Sequence, residues 1–185
     1  MTIKKTKLKD CYIINDTVFA DARGYFFESF NQQRFAALTG IIPNFVQDNQ
    51  SKSTRGVLRG IHFQQGIHAQ AKLVRVLEGS VLDVAVDLRK ESPTFGEYVA
   101  VELSCDNHVQ LFVPRGFGHA FVVLSPVATF FYKCDNFYNK ASEGGIIYND
   151  ATIGINWQID ATEILLSEKD AALPIFNQVK DSINF

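Results

Sequence analysis

From residue 57 to residue 133, turn formers cut the chain into short apolar runs, and this spacing limits the fold more than any other feature. The runs cover residues 57–63, 71–77, 80–87, 98–103, 109–113, 120–124 and 129–133. Between them stand Glu78-Gly79, Lys90-Glu91-Ser92-Pro93, Cys105-Asp106-Asn107, Pro114-Arg115-Gly116 and Ser125-Pro126, residue types that favour reversal of the chain. Runs of this length and frequency predict strands of a mainly β fold, as a sandwich, barrel or jelly roll. The 16 Phe residues suit such an interior, which needs large, stiff side chains.

Two short helices are expected beside the strands. Residues 31–38 carry Phe35 and Leu38 on one side and stop before Gly40, a residue suited to a C-cap. A second begins near Ser167, where Ser167-Glu168-Lys169-Asp170 has capping-box spacing. Pro43 and Pro174 close the regions that follow. No repeat, low-complexity tract or linker divides the sequence, which predicts one domain over residues 1–185.

Charge and cysteine usage narrow the function. A net charge of -2 argues against general nucleic-acid binding, so a polyanionic ligand must be met by a local cluster of cations. The 3 cysteines, Cys11, Cys105 and Cys134, are widely spaced and form no CxxC pair, which predicts reduced thiols in a cytoplasm. The N-terminus is basic without a following apolar segment, and no apolar run approaches the ~20 residues needed to span a bilayer. A cytoplasmic protein without membrane contact is expected.

The chemistry-bearing residues concentrate in Leu58-Arg59-Gly60-Ile61-His62-Phe63-Gln64 and Gln70-Ala71-Lys72-Leu73-Val74. An isolated strand histidine is more often structural, but Arg59, Gln64, Gln70 and Lys72 are too polar for a plain core face. Strict alternation puts Arg59 and His62 on opposite faces; both line one site only if Gly60 marks a bulge or Arg59 lies at a frayed strand end. His119, in Pro114-Arg115-Gly116-Phe117-Gly118-His119, fits the second half of the metal-cupin signature. The first half fails, because Gln64 stands where an H-x-H pair needs its second histidine, so no metal site is expected. Tyr132 and Tyr138 read as core aromatics with a wet hydroxyl. Asp170 reads as the N3 carboxylate of a capping box, and Asp83 and Asp87 as facing solvent or neighbouring cations. His68 and His108 fall in loops and receive no role.

Across nearly its whole length the chain resembles the dTDP-4-dehydrorhamnose 3,5-epimerases, cofactorless sugar-nucleotide enzymes built on a cupin jelly roll. The resemblance is carried by Asp21-Ala-Arg-Gly-Tyr-Phe-Phe-Glu-Ser-Phe30, Phe45-Val-Gln-Asp-Asn49, the 57–64 and 70–74 segments, and Asp83-Val-Ala-Val-Asp-Leu-Arg89. It continues through Ser92-Pro-Thr-Phe-Gly96, residues 114–121, Phe131-Tyr-Lys133, Ser142-Glu-Gly144, Ile153-Gly-Ile-Asn-Trp157 and Leu166-Ser-Glu-Lys-Asp170. It implies His62 as general base oriented by Asp170, Tyr132 as the acid on the opposite side of the sugar, and Lys72 at the C4 ketone. His119 is implied in the pocket lining. Arg23, Glu28, Gln47, Asn49, Arg59, Glu143 and Lys169 are implied to hold nucleotide and sugar, with Tyr138 a platform for thymine. The implied substrate is a dTDP-4-keto-6-deoxyhexose inverted at C3 and C5 in dTDP-L-rhamnose biosynthesis, with no cofactor. A relative inverting one carbon is the alternative; a metal-dependent cupin and a non-catalytic binder are more distant ones. The family also implies a homodimer whose N-terminal strands cross over, so that Arg23 and Glu28 complete the neighbour's site. Arg115, Ala120 and Tyr148 depart from the family's usual acidic residue, Gly and Trp.

Overall fold

A computed structural model describes residues 1–185. In chain order the elements are β1 (Thr2–Lys5), β2 (Tyr12–Asn15), β3 (Phe19–Asp21), β4 (Gly24–Phe26), α1 (Gln32–Thr39), β5 (Gln47–Thr54), β6 (Leu58–Gln64), β7 (Lys72–Glu78), β8 (Ser80–Asp87), β9 (Tyr98–Ser104), β10 (Val109–Val113), β11 (Phe117–Val123), β12 (Val127–Cys134), β13 (Glu143–Gly145), α2 (Glu168–Ala171) and α3 (Phe176–Val179). A 6-stranded sheet, ordered β1-β2-β10-β7-β12-β5, packs against a 5-stranded sheet, ordered β13-β6-β11-β8-β9. The expected mainly β jelly roll is therefore present.

Three apolar clusters hold the layers. One fills the space between the sheets with Val74, Val76, Phe130 and Leu111 from the 6-stranded sheet and Val81, Ala85, Phe117 and Phe121 from the other. A second lies on the outer face of the 5-stranded sheet, where Leu82, Val84, Val86 and Val122 meet Ile146, Trp157, Phe176 and Ile183 of the C-terminal segment. A third seats α1 through Phe35 on Tyr12, Ile14 and Phe112, the outer face of the 6-stranded sheet. Asn31 caps α1 by accepting the Arg34 N–H, and Gly40 ends it in the left-handed region at φ 76°.

The two-sided cover corrects the solvent-facing half of the expectation for Asp83 and Asp87. Both are fully buried, because β8 is an interior strand with apolar cover on either face. Asp87 does meet a cation, since Arg89 Nη2 stands 2.8 Å from Oδ2. Strands β1 to β5 and β13 and helix α3 went unrecognised in the sequence. β5 (Gln47–Thr54) is the clearest case: it is entirely polar and lacks the apolar alternation that marks a half-buried strand.

The Gly60 bulge exists. Along β6, Leu58 points to the outer cluster, yet so do Ile61 and Phe63, so the inside–outside parity reverses between them. Opposite, His119 pairs with His62 and Phe121 with Arg59, so two steps on β11 match three on β6. The extra residue turns Arg59 and His62 to the same side. Glycine is required here: φ is 125°, and an added Cβ would lie 2.4 Å from Ala120 Cβ. Gly60→Ala is expected to lower stability by about 1–3 kcal/mol, read as the fall in Tm. An unchanged Tm would contradict this steric account.

Candidate active site

Two adjoining cavities of about 540 and 400 Å³ form one cleft at an end of the sandwich, sharing Asn49, His62, Lys72 and Tyr132 in their linings. The walls belong to different sheets. His62 of β6 and His119 of β11 come from the 5-stranded sheet, whereas Lys72 of β7, Tyr132 of β12 and Asn49 of β5 come from the 6-stranded sheet. The larger cavity adds Gln47, Gln64, Gln70, Phe137, Tyr138 and Glu143. The smaller adds Gln50, Ser51, Arg59, His119, Lys169 and Asp170.

His62 Nε2 lies 2.5 Å from Asp170 Oδ1, with the carboxylate side chain only 6% exposed. With its Nε2 proton donated to Asp170, the imidazole keeps Nδ1 free for a substrate proton. Ser167 Oγ accepts the Asp170 N–H at 3.1 Å, which caps α2. The Asp170 side chain does not complete the expected capping box; it leaves the helix and crosses to the sheet. Burial lowers the His62 pKa, against the opposing pull of Asp170, and Lys72 and Lys169 add to the lowering. The net direction is downward from 6.5, so the imidazole is an uncharged base at neutral pH.

On the facing wall, burial pushes the Tyr132 phenol up to about 12, with Cys134 adding to the rise and Arg59 opposing it. The hydroxyl therefore keeps its proton across the physiological range. Lys72 Nζ sits 5.7 Å from the centre of the Tyr132 ring and makes no hydrogen bond or ion pair within the protein. Burial lowers its pKa, opposed by Cys134, Asp83 and Glu143.

At the cleft mouth, Glu143 accepts from Lys169 Nζ at 2.7 Å and from the Tyr138 hydroxyl at 3.1 Å. Burial alone would raise the Glu143 pKa; these two donors outweigh it and hold the group below the usual carboxylate range. Gln47 Oε1 accepts the Tyr138 N–H at 3.1 Å, and the neighbouring Phe137 is 63% exposed. Arg59 donates to Ser53 Oγ at 3.2 Å.

Arg23 and Glu28 stand apart from this cleft. Arg23 is 90% exposed in its side chain and bound only to Asp21, and Glu28 pairs with Arg34 at 3.3 Å. The other residues expected at the site converge. Gln50, Ser51 and Phe137 were missed: the first two lie on the unrecognised polar strand, and Phe137 had only its neighbour Tyr138 as a signal. No group of three or more His, Cys, Asp or Glu side chains comes together as a metal-binding set.

Residues 5–178 match the dTDP-4-dehydrorhamnose 3,5-epimerase family. The dTDP-4-dehydrorhamnose 3,5-epimerase of Salmonella typhimurium is 54% identical over 178 residues, covering 96% of this chain and 97% of that one. The crystal structure of the enzyme of that name from Elizabethkingia anophelis superposes with a TM-score of 0.93 at 58% identity, covering 96% and 97% of the two chains. The dTDP-6-deoxy-D-glucose-3,5-epimerase of Legionella pneumophila, solved in complex with dTDP-4-keto-L-rhamnose, gives 0.94 at 44% identity over 99% and 97%.

The site's electrostatics set a direct expectation. Activity should rise with pH as His62 loses its proton, with a midpoint below 6.5. Asp170→Asn removes the attraction that favours the imidazolium and should move that midpoint lower still. A midpoint above 6.5 in the unaltered protein, by rate profile or by imidazole NMR, would contradict the assignment. An imidazole paired with a buried carboxylate thus faces a buried phenol across the cleft, and by its family match and its full-length relatives the chain belongs to the dTDP-4-dehydrorhamnose 3,5-epimerase family.

Proposed function

We propose that the protein inverts C3 and C5 of dTDP-4-dehydro-6-deoxy-D-glucose to give dTDP-4-dehydro-L-rhamnose, in the dTDP-L-rhamnose route and without a cofactor. The observation that carries this reading is the opposition of His62 and Tyr132 on facing walls of one cleft. The C4 ketone acidifies the hydrogens on C3 and C5. His62 Nδ1 takes one of these as a proton, and its electron pair moves into an enolate with negative charge on O4. Lys72, a free ammonium in the cleft, stabilises that charge more in the transition state than in the ground state; one such donor is typically worth about 3 kcal/mol. Tyr132 then delivers its proton to the opposite face of the same carbon. Both groups re-equilibrate with solvent, and the second carbon follows by the same steps.

The rest of the lining suits the nucleotide. Arg59 and Lys169 can neutralise a diphosphate despite the overall negative charge. Tyr138 offers a face on which thymine can stack, with His119, Asn49, Gln47 and Glu143 as polar partners for sugar and base. In this reading residues 1–185 act as one domain in the cytoplasm, where unpaired cysteines fit a reducing compartment. No helix is long and apolar enough to cross a membrane.

The working unit in this reading is a homodimer. The β3–β4 hairpin leaves Phe19, Tyr25 and Phe26 more than 60% exposed, an apolar surface suited to burial against a second copy. The same crossing would carry Arg23 and Glu28 to the partner's cleft.

Three experiments test these points. In D2O, turnover should place deuterium at both C3 and C5, and label at one carbon alone would contradict the double inversion. His62→Asn should cut turnover on the order of 10²–10⁴-fold with dTDP affinity retained, and Tyr132→Phe should suppress inversion more than initial proton loss. Mixing inactive Arg23→Ala and His62→Asn chains should restore about a quarter of wild-type activity, because half the dimers are mixed and each then holds one intact site. No recovery in a verified mixture would argue against shared sites.

A further inference from the structure

Asp83 is a fully buried carboxylate that the mechanism leaves unused. Its side chain is fully buried and points between the sheets. Oδ1 accepts from His119 Nε2 at 2.9 Å, and Oδ2 has no partner in the protein. A buried carboxylate with one oxygen unmatched is unfavourable unless a nearby cation compensates it. Asp16 Oδ1 is the only other unpartnered buried side-chain oxygen or nitrogen, and it lies by Gln110, outside the cleft.

The neighbours of Asp83 belong to the cleft. His119 is buried, stacks on Phe130 at 6.0 Å, and its Nδ1 bonds to nothing in the protein. It stands directly opposite His62 across the β6–β11 ladder, so two imidazole–carboxylate pairs lie side by side on one wall. From the other wall, Lys72 has no ion-pair partner of its own, and Asp83 is one of the charges acting on it.

We propose that Asp83 is a positioning residue for the epimerisation, fixing His119 with Nδ1 toward the sugar and serving as the counter-ion of Lys72. Asp83 touches no substrate itself, and the proposal rests on the assignment of Lys72 to the C4 oxygen. Lys72 shares the cleft lining with Tyr132 from β12, Glu143 from β13, His62 from β6 and His119 from β11, and the charge on it is also influenced by Cys134 from β12 and by Asp83 from β8, which lies behind His119. Burial keeps Cys134 and Tyr132 protonated and uncharged. Glu143 already holds Lys169. Asp83 is thus the one negative charge acting on Lys72 that no other protein cation claims. Without it, burial would draw the proton from Lys72 at lower pH, and the enolate would lose its cation.

Asp83→Asn tests this, since it keeps shape and removes charge. The expected result is a fall in kcat on the order of 10²-fold, with KM nearly unchanged. The alkaline limb of the kcat profile should move to lower pH, and Tm should hold or rise because an undercompensated buried charge has gone. A lowered Tm with wild-type kcat and an unmoved alkaline limb would overturn the proposal and make Asp83 a structural group. Asp83→Glu is the second arm, with the charge kept but displaced. Reduced kcat with the alkaline limb retained supports the proposal, whereas wild-type kcat overturns it, as does failure of both variants to fold. These comparisons use wild-type enzyme that exchanges its C3 and C5 hydrogens with solvent; absence of that exchange would sink the epimerase reading instead.

Discussion

Two β-sheets packed face to face stand about 10 Å apart, and everything proposed for this cleft depends on that spacing. It is filled by side chains over most of the sandwich, from Phe121 stacked on Phe130 to the Val81 and Val123 layer. Where the facing residues turn polar, the gap opens into the two adjoining cavities of the cleft. In the proposed reading, His62 and Tyr132, on opposite sheets, address opposite faces of the sugar ring without either having to move. Inversion of a carbon next to a ketone needs no more than this, given a cation for the enolate.

A polar cleft inside a sandwich costs stability, which the outer layers offset. α1 covers part of one sheet and the C-terminal segment the other, so interior strands such as β8 and β10 are apolar on both faces. The C-terminal cover also reaches the cleft. It carries Asp170 on α2 to His62, joining residues 108 apart in sequence. The bulge at Gly60 completes the arrangement by bringing Arg59 to the side that His62 occupies. Interior packing and site geometry are thus set by the same few backbone features.

Much of this was legible in the residues. The turn-punctuated runs mark the strands from β6 to β12, and the conflict between strict alternation and a shared polar site singles out Gly60. Other features were hidden for physical reasons. Asp170 has the spacing of a helix cap, and sequence separation conceals its contact with His62; only the family resemblance linked them. Asp83 sits on a strand covered on both faces, so alternation could not reveal which face was the interior. β5 carries no apolar alternation because one side lines the cleft and the other meets solvent. Arg23 and Glu28 lie on an exposed segment, and no pattern within one chain could place them.

The opposition of His62 and Tyr132 about the sugar is tested most directly by a crystal structure with a bound dTDP-4-keto-6-deoxyhexose or its unreactive analogue. The account requires His62 Nδ1 within reach of C3 or C5 on one face of the pyranose, the Tyr132 hydroxyl on the other, and Lys72 Nζ at O4. A ring bound with both side chains on the same face, or with O4 turned away from Lys72, would contradict it.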